Sequence, residues 1–307
     1  MTSFAIPFSL ADARLCMELS DWAYLPYADS DPLRGKLATR GLDLVATLTA
    51  RAPGGSVFKS LKNDTEAFCA EDQERLYIVF RGSEPNLWDW LTDFRIDKEH
   101  VPLVDGVEIH EGFYSAISGP QTRRALQDWI RHAGQRPIIL AGHSLGGALA
   151  ATVAVLYPFI HRGLAFAACY TYGQPRIGLI SSQPATPICR IVNKVDIVPR
   201  VPFDFGKALG DVLGPIEANA ISHIAGFVGF NASIYAHVGS PYVIGQNGEI
   251  DPAGETAYVT ALAAAMGASA GELVNLLRSG RKYAYQGNLI TDHFRDAYET
   301  SLSGLAL

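Results

Sequence analysis

Short apolar runs alternate with helical patterns along the chain up to residue 203. Leu76–Phe80 is apolar throughout, which is typical of a strand covered on both faces. Further strands are predicted at 42–50, 57–61, 67–70, 137–141, 166–172 and 188–192. Helices are predicted at 9–24, with Ser9 as N-cap, at 111–133, with an irregularity at Gly119-Pro120, and at 148–159. This alternation predicts an α/β fold, in which a mostly parallel sheet has helices on both faces.

The alternation stops between residues 203 and 288, where Gly, Ala and apolar residues dominate. We predict helices at 205–213 and 255–281 and a hairpin at 242–250 that turns at Gln246-Asn247-Gly248. A last helix at 292–302 is expected to return to the core. No repeat or low-complexity linker divides the sequence, so we interpret 1–307 as a single domain with a helix-rich insertion at 203–288.

Composition excludes several classes of function. The 307 residues are 48% hydrophobic and 18% charged, with a net charge of −6, whereas nucleic-acid binding needs clustered Lys and Arg. The four cysteines form no C-x-x-C pair, so a zinc site has no support. The most apolar windows, 220–230 and 258–270, are too interrupted to span a membrane. We see no signal peptide, which leaves a cytoplasmic protein and a mature secreted form both open.

The sequence Gly142-His143-Ser144-Leu145-Gly146 contains the pattern G-x-S-x-G between a predicted strand and a predicted helix. That setting is typical of a nucleophile elbow, in which a strained turn lifts a serine hydroxyl clear of the sheet. The flanking glycines leave room for the turn, and the backbone N–H of Leu145 could help to bind an oxyanion. We therefore predict that Ser144 is a nucleophile. His143 is rejected as its base, because consecutive residues point in different directions at such a turn.

An acid and a base are expected after the serine in the order Ser, Asp or Glu, His. Asp196 follows the predicted strand 188–192 at the carboxyl edge of the sheet, where sites of α/β proteins are built. Asp204 and Asp211 remain fallback acids. The histidines after Asp196 are His223, His237 and His293, and spacing alone leaves them open.

Six segments in order, the nucleophile segment among them, are similar to the class 3 (fungal-type) lipases, a branch of the α/β hydrolases. They are Val79–Ser83, Trp88–Asp93, Ile109–Phe113, Gly142–Gly147, Tyr172–Gly178 and Asn193–Pro202. The resemblance covers roughly the middle two thirds of the chain and is weak in the first 60 residues and in most of 203–288.

The resemblance implies roles for particular residues. Asp196 corresponds to the triad acid and His293, in Asp292-His293, to the base, in preference to His237. Asp292 itself is interpreted as an acid at the start of the last helix. Ser83 corresponds to the second oxyanion donor beside Leu145. Residues 84–94 correspond to a lid whose Trp88 and Trp90 could contact a lipid or an acyl chain.

The expected protein is a serine carboxylic-ester hydrolase, most simply a lipase that cleaves acylglycerols or similar lipid esters through an acyl-enzyme on Ser144. The partner would be an ester substrate, in some cases at a lipid–water interface, and the chemistry needs no metal or organic cofactor. An esterase for short-chain or aryl (feruloyl-like) esters is the alternative, and a lipid-binding protein without catalysis is a third hypothesis. The oligomeric state is not indicated by the sequence.

Overall fold

The computed structural model describes residues 5–50, 65–82, 100–104, 106–160, 166–181, 184–196, 198–200, 237–245, 249–251 and 291–305. The predicted strand at 57–61, the lid at 84–94 and the helices at 205–213 and 255–281 lie outside these residues. Within the predicted insertion, the description is limited to 237–245 and 249–251.

The described helices are α1 (Leu10–Trp22), α2 (Asp31–Ala38), α3 (Glu111–Ser118), α4 (Pro120–Ala133), α5 (Leu145–Ile160) and α6 (Arg295–Ser303). The described strands are β1 (Asp43–Ala50), β2 (Thr65–Glu71), β3 (Leu76–Phe80), β4 (His100–Val104), β5 (Val107–His110), β6 (Ile138–His143), β7 (Ala168–Tyr172), β8 (Gly178–Ile180), β9 (Ile188–Asn193), β10 (Ser240–Ile244) and β11 (Ile250–Asp251). A single 3₁₀ turn covers Val198–Arg200.

An eight-stranded sheet has the order β1-β2-β3-β6-β7-β9-β10-β11. The inner strands β3, β6, β7, β9 and β10 pair in parallel, while β1, β2 and β11 join antiparallel at the two sides. A second, antiparallel sheet has the order β4-β5-β8. Because the inner strands are parallel, the residues that follow β3, β6, β7 and β9 all lie at one edge of the large sheet.

Two apolar clusters cover the two faces of this sheet. Helices α3, α4 and α5 contribute to one cluster, with Phe113, Leu126 and Leu149 among its members. Helices α1, α2 and α6 contribute to the other, which contains Met17 and Tyr298. Neighbouring strand residues alternate between the clusters, as the pleat of a strand requires. Both faces of the sheet are therefore buried, as the apolar strands predicted.

Most predicted elements are present, and the deviations have local causes. The predicted helix 111–133 is divided into α3 and α4 at Gly119-Pro120, since proline lacks the N–H that would continue the helix. The turn between the predicted strand 137–141 and the predicted helix 148–159 is shorter than expected, because β6 runs to His143 and α5 begins at Leu145. The predicted hairpin is present as β10 and β11, which pair antiparallel. Helix α2 and strands β4, β5 and β8 were not predicted.

The start of the last helix was predicted three residues too early. Helix α6 begins at Arg295 with Phe294 as its N-cap, so Asp292 and His293 precede it. The interpretation of Asp292 as a helix-start acid is therefore wrong. Instead its carboxylate accepts a hydrogen bond from the backbone N–H of Val195 at 3.2 Å.

Among the described residues, no helix combines the length and the apolar character needed to cross a membrane.

Candidate active site

Ser144 occupies the single-residue turn between β6 and α5. Its φ is +57°, a left-handed conformation that a residue with a side chain adopts only at a cost of about 1–3 kcal/mol. Its N–H donates to the carbonyl of Tyr172 on the neighbouring strand β7 at 2.8 Å, and its carbonyl accepts from Ala148 in α5. The backbone is thus held on both sides of a strained residue, which is the geometry predicted for a nucleophile elbow.

The glycines around Ser144 are required by close packing. A Cβ atom on Gly142 would lie 2.3 Å from the carbonyl of Gly146, and one on Gly146 would lie 2.2 Å from the carbonyl oxygen of Phe80 in β3. Both distances are shorter than real Cβ contacts allow. The turn can therefore form only if both positions lack side chains, as the G-x-S-x-G pattern implies.

Asp196 and His293 meet as a buried pair, although 97 residues separate them in the sequence. The Nδ1 atom of His293 lies 2.8 Å from Oδ2 and 3.0 Å from Oδ1 of Asp196. The exposed fraction is 3% for the histidine side chain and 0% for the aspartate side chain. A carboxylate only accepts hydrogen bonds, so Nδ1 carries the proton and Nε2 is left with a lone pair. Within the described residues, Nε2 has no hydrogen-bond partner.

Two more donors orient the Asp196 carboxylate. Oδ1 accepts from the N–H of Val198 at 2.9 Å, and Oδ2 accepts from the hydroxyl of Tyr298 in α6 at 2.7 Å. The same hydroxyl accepts from the N–H of Asn193 at 3.0 Å. Sequence reasoning missed Tyr298, because a tyrosine in an amphipathic helix gives no sign that its hydroxyl reaches a carboxylate in another segment.

Gly173 lies against the Asp196–His293 pair, next to the residue that binds the backbone of Ser144. It directly follows Tyr172, has a φ of +59°, and leaves no space for a side chain. A Cβ atom there would lie 2.6 Å from Cε1 of His293 and 2.8 Å from Oδ2 of Asp196. The edge of β7 thus contacts both the backbone of Ser144, through Tyr172, and the Asp–His pair, through Gly173.

His143 is a structural neighbour of the pair. Its ring centroid lies 4.7 Å from that of His293, and its Nε2 lies 2.7 Å from the His293 carbonyl oxygen. A carbonyl cannot donate, so Nε2 of His143 donates. Burial lowers the pKa of His143 well below its usual value, which keeps the ring neutral. Nδ1 is then free to accept from the hydroxyl of Tyr24, 3.4 Å away.

The remaining predicted site residues are distributed as follows. Leu145 is the first residue of α5, so its N–H is at the positive end of the helix, directly after Ser144. Ser83, Trp88 and Trp90 lie outside the described residues, but Gly82, which precedes Ser83, is buried. A Cβ on Gly82 would lie 2.6 Å from the carbonyl oxygen of His143, so the end of β3 and the serine turn are adjacent.

Of the competing histidines and acids, the structure pairs Asp196 with His293. His237 lies three residues before β10 and is half-buried. His223, Asp204 and Asp211 lie outside the described residues. Among the described residues, no group of three or more His, Cys, Asp or Glu could hold a metal ion.

Comparison with known proteins extends these observations. Residues 77–206 match the family of class 3 lipases. A lipase of Rhizomucor miehei is 32% identical over 158 residues, which cover 47% of this chain and 43% of that protein. Secreted mono- and diacylglycerol lipase 1 of Fusarium solani is 34% identical over 151 residues, covering 46% and 44%. The match spans less than half the length of these curated relatives.

Solved structures share the fold over a larger part of the chain. The triacylglyceride lipase of Rhizomucor miehei has a TM-score of 0.55 at 25% identity and covers 78% of this chain and 82% of that structure. A triacylglycerol lipase with a serine protease triad as its catalytic centre has a TM-score of 0.54 at 26% identity, with 80% and 84% covered. These findings confirm the resemblance stated from the sequence: the chain is an α/β-hydrolase related to the class 3 lipases, through a family match at residues 77–206.

Proposed function

We propose that the protein is a serine carboxylic-ester hydrolase that cleaves acylglycerols or similar lipid esters through an acyl-enzyme on Ser144. The observation that carries this proposal is the buried His293, whose Nδ1 is bound to Asp196 while its Nε2 is left with a lone pair. A histidine held in that tautomer is suited to take a proton from a serine hydroxyl. The strained turn at Ser144 supplies the serine.

The steps follow from these roles. His293 Nε2 takes the proton of Ser144 as its oxygen attacks the ester carbonyl, and Asp196 stabilises the imidazolium that forms. The N–H of Leu145, together with a donor from Ser83, binds the oxyanion of the tetrahedral intermediate. His293 then protonates the departing alcohol. Water attacks the acyl-enzyme by the same route, releasing the acid and restoring Ser144.

The similarity to known lipases supports a lipid ester as the substrate. The relatives include mono- and diacylglycerol and triacylglycerol lipases, and the latter group includes OBL1 of Arabidopsis thaliana, which is 28% identical over 194 residues.

The first test is the substitution Ser144→Ala. Loss of the nucleophile should reduce ester hydrolysis by about 10⁴-fold or more, measured as kcat with p-nitrophenyl esters. The matched control is Ser303→Ala, at the exposed end of α6, which should keep ordinary activity. A fluorophosphonate probe should label the parent protein but not Ser144→Ala. Ordinary activity of Ser144→Ala would end the proposal, and an unlabelled Ser144 in the folded parent protein would favour a lipid-binding protein without catalysis.

The second test separates a lipase from an esterase for short-chain or aryl esters. Rates are measured along a series of p-nitrophenyl esters and triacylglycerols of increasing acyl length, below and above the solubility limit of each. We expect longer chains to be preferred and the rate to rise when substrate aggregates form. Saturation on soluble short-chain or feruloyl esters, with no rise at the solubility limit, would instead favour the esterase.

A further inference from the structure

The two segments that carry Asp196 and His293 are joined by a reciprocal pair of hydrogen bonds. The side-chain amide of Asn193 donates to the backbone carbonyl of Asp292 at 3.0 Å. The side chain of Asp292 accepts in return from the backbone N–H of Val195 at 3.2 Å. We call the side chains of Asn193 and Asp292, with these two bonds, the reciprocal clamp. Both bonds are buried, so water does not compete for them.

The clamp acts on the backbone next to each member of the Asp–His pair. Asp292 directly precedes His293, and Val195 directly precedes Asp196. Each bond therefore fixes the main chain one residue away from a side chain of the pair. Asp196 and His293 are 97 positions apart in the sequence, so contacts between their two segments help to set the spacing of the pair. A shift of about 1 Å between reacting groups can reduce a rate by about 10²-fold.

Keeping this arrangement costs free energy. Burial raises the pKa of Asp292, so the fold disfavours its ionised form, and the charge of Asp196 acts in the same direction. The N–H of Val195 and the charge of Lys194 oppose that shift. Lys194 itself has a φ of +44°, and its N–H donates to the carbonyl of Ile244 in β10 at 2.8 Å. The strained backbone of Lys194 and the buried carboxylate of Asp292 both cost free energy, although neither residue transfers a proton in the proposed reaction.

We propose that Asn193 and Asp292 are positioning residues that hold Asp196 and His293 at hydrogen-bonding distance through the reciprocal clamp. The proposal rests on the proposed function, because the pair is taken to act on Ser144. Neither residue contacts the substrate in this account. Their effect is on the geometry of the pair, and hence on the rate of the chemical step.

The test compares two substitutions at one position. Asp292→Ala removes the acceptor for the Val195 N–H, and we expect kcat to fall about tenfold to 100-fold with KM little changed. Asp292→Asn keeps a carbonyl oxygen that can accept this bond and should restore most of the rate. The matched control is Asp296→Ala. In the parent protein, the carboxylate of Asp296 accepts a hydrogen bond from the backbone N–H of Ala297 in the exposed first turn of α6. This substitution should leave kcat unchanged.

A readout that needs no substrate follows the pair itself. The Nδ1 proton of His293 should give a downfield ¹H NMR resonance, assigned by its absence in His293→Ala. In folded Asp292→Ala this resonance should broaden or disappear, and in Asp292→Asn it should remain. If Asp292→Ala fails to fold, Asn193→Leu takes its place. Leucine is similar in shape to asparagine but has no amide to donate to the Asp292 carbonyl, so kcat and the resonance of this variant are compared with those of the parent protein.

The outcomes separate this inference from the proposed function. If Ser144→Ala stays active, the proposed function fails, and the clamp is tested by the resonance alone. Its loss in folded Asp292→Ala would support the clamp, and an unchanged resonance would overturn it. If Ser144→Ala is inactive while folded Asp292→Ala and Asn193→Leu keep the parent kcat and the parent resonance, the clamp fails alone. A fall in activity that only follows the fraction of folded protein, with the resonance intact, would also overturn the clamp.

Discussion

At the scale of single residues, the site depends on positions without side chains as much as on reactive groups. Gly142 and Gly146 were inferred from the nucleophile pattern, because the chemistry of a tight strand-to-helix turn implies them. Gly173 could not be inferred in this way. Its requirement comes from His293, which lies more than a hundred positions further along the chain and contacts it only in the folded structure.

Gly173→Ala should therefore damage the site far more than an ordinary glycine substitution. The new methyl group would lie 2.6 Å from His293 and 2.8 Å from Asp196, so the side chains of the pair or the backbone at residue 173 must shift. We expect kcat for ester hydrolysis to fall by about 10²-fold or more. Gly134→Ala is the matched control: its φ is +64°, but nothing lies within 4 Å of the added atom. Equal activity of the two variants would contradict the steric argument.

The polar neighbours of the pair were also beyond sequence reasoning. Asp196 was expected from its place after a buried strand, and His293 from the family resemblance. Tyr298, Asn193 and Asp292 bind groups in segments about a hundred residues away, so neither local spacing nor periodicity indicates their roles. Asp292 was interpreted as an acid at the start of the last helix, because Asp-His before a helical pattern resembles an ordinary helix start.

At the scale of elements, local signals predicted the helices and strands well where they were strong. Ser9 was predicted as the N-cap of the first helix, and its hydroxyl accepts from the N–H of Asp12 at 3.2 Å. Helix α2 was missed because it is short and contains Pro32 and Gly35, and because it follows a segment rich in turn-forming residues. The small sheet β4-β5-β8 was missed because its strands are short and because β8 pairs with β5 from a distant segment.

The cap of α1 offers a test of this local reasoning. Ser9→Ala removes the acceptor for the Asp12 N–H and should lower the free energy of unfolding by about 1 kcal/mol. Ser30→Ala is the matched control, since Ser30 precedes α2 without a side-chain capping bond. It should change the free energy of unfolding by less. Urea unfolding of both variants measures the difference, and equal losses would show that the Ser9 cap contributes nothing.

At the scale of the whole molecule, the two buried faces of the sheet account for the low charge content of the sequence. Helices α1 and α2 precede the family-matched segment 77–206, and α6 follows it, yet these three helices pack on the same face of the sheet. Composition and alternation were sufficient to predict a covered parallel sheet. They could not predict which helices share a face, because that depends on contacts between the two ends of the described chain.

The four cysteines provide a measure of this burial. All four are buried and unpaired, and burial raises the pKa of Cys16 and Cys169 well above the usual value for a thiol. Thiolate is the reactive form, so Ellman's reagent should react slowly with the native protein and with four thiols in denaturant. Ser303→Cys, at the exposed end of α6, should add one thiol that reacts at once. Rapid reaction of the parent protein under native conditions would contradict the buried placement.

The distance along the chain between the serine turn and the Asp–His pair has a consequence for synthesis on the ribosome. His143 contacts a residue 150 positions later, so a nascent chain completes the turn of Ser144 long before His293 has been translated. Until then the proposed base of Ser144 is absent, and α6 is missing from one face of the sheet. Nascent chains halted before residue 293 should therefore fail to react with a fluorophosphonate. If His293 is the base, chains that end before it would not attack esters, whatever the state of the serine turn.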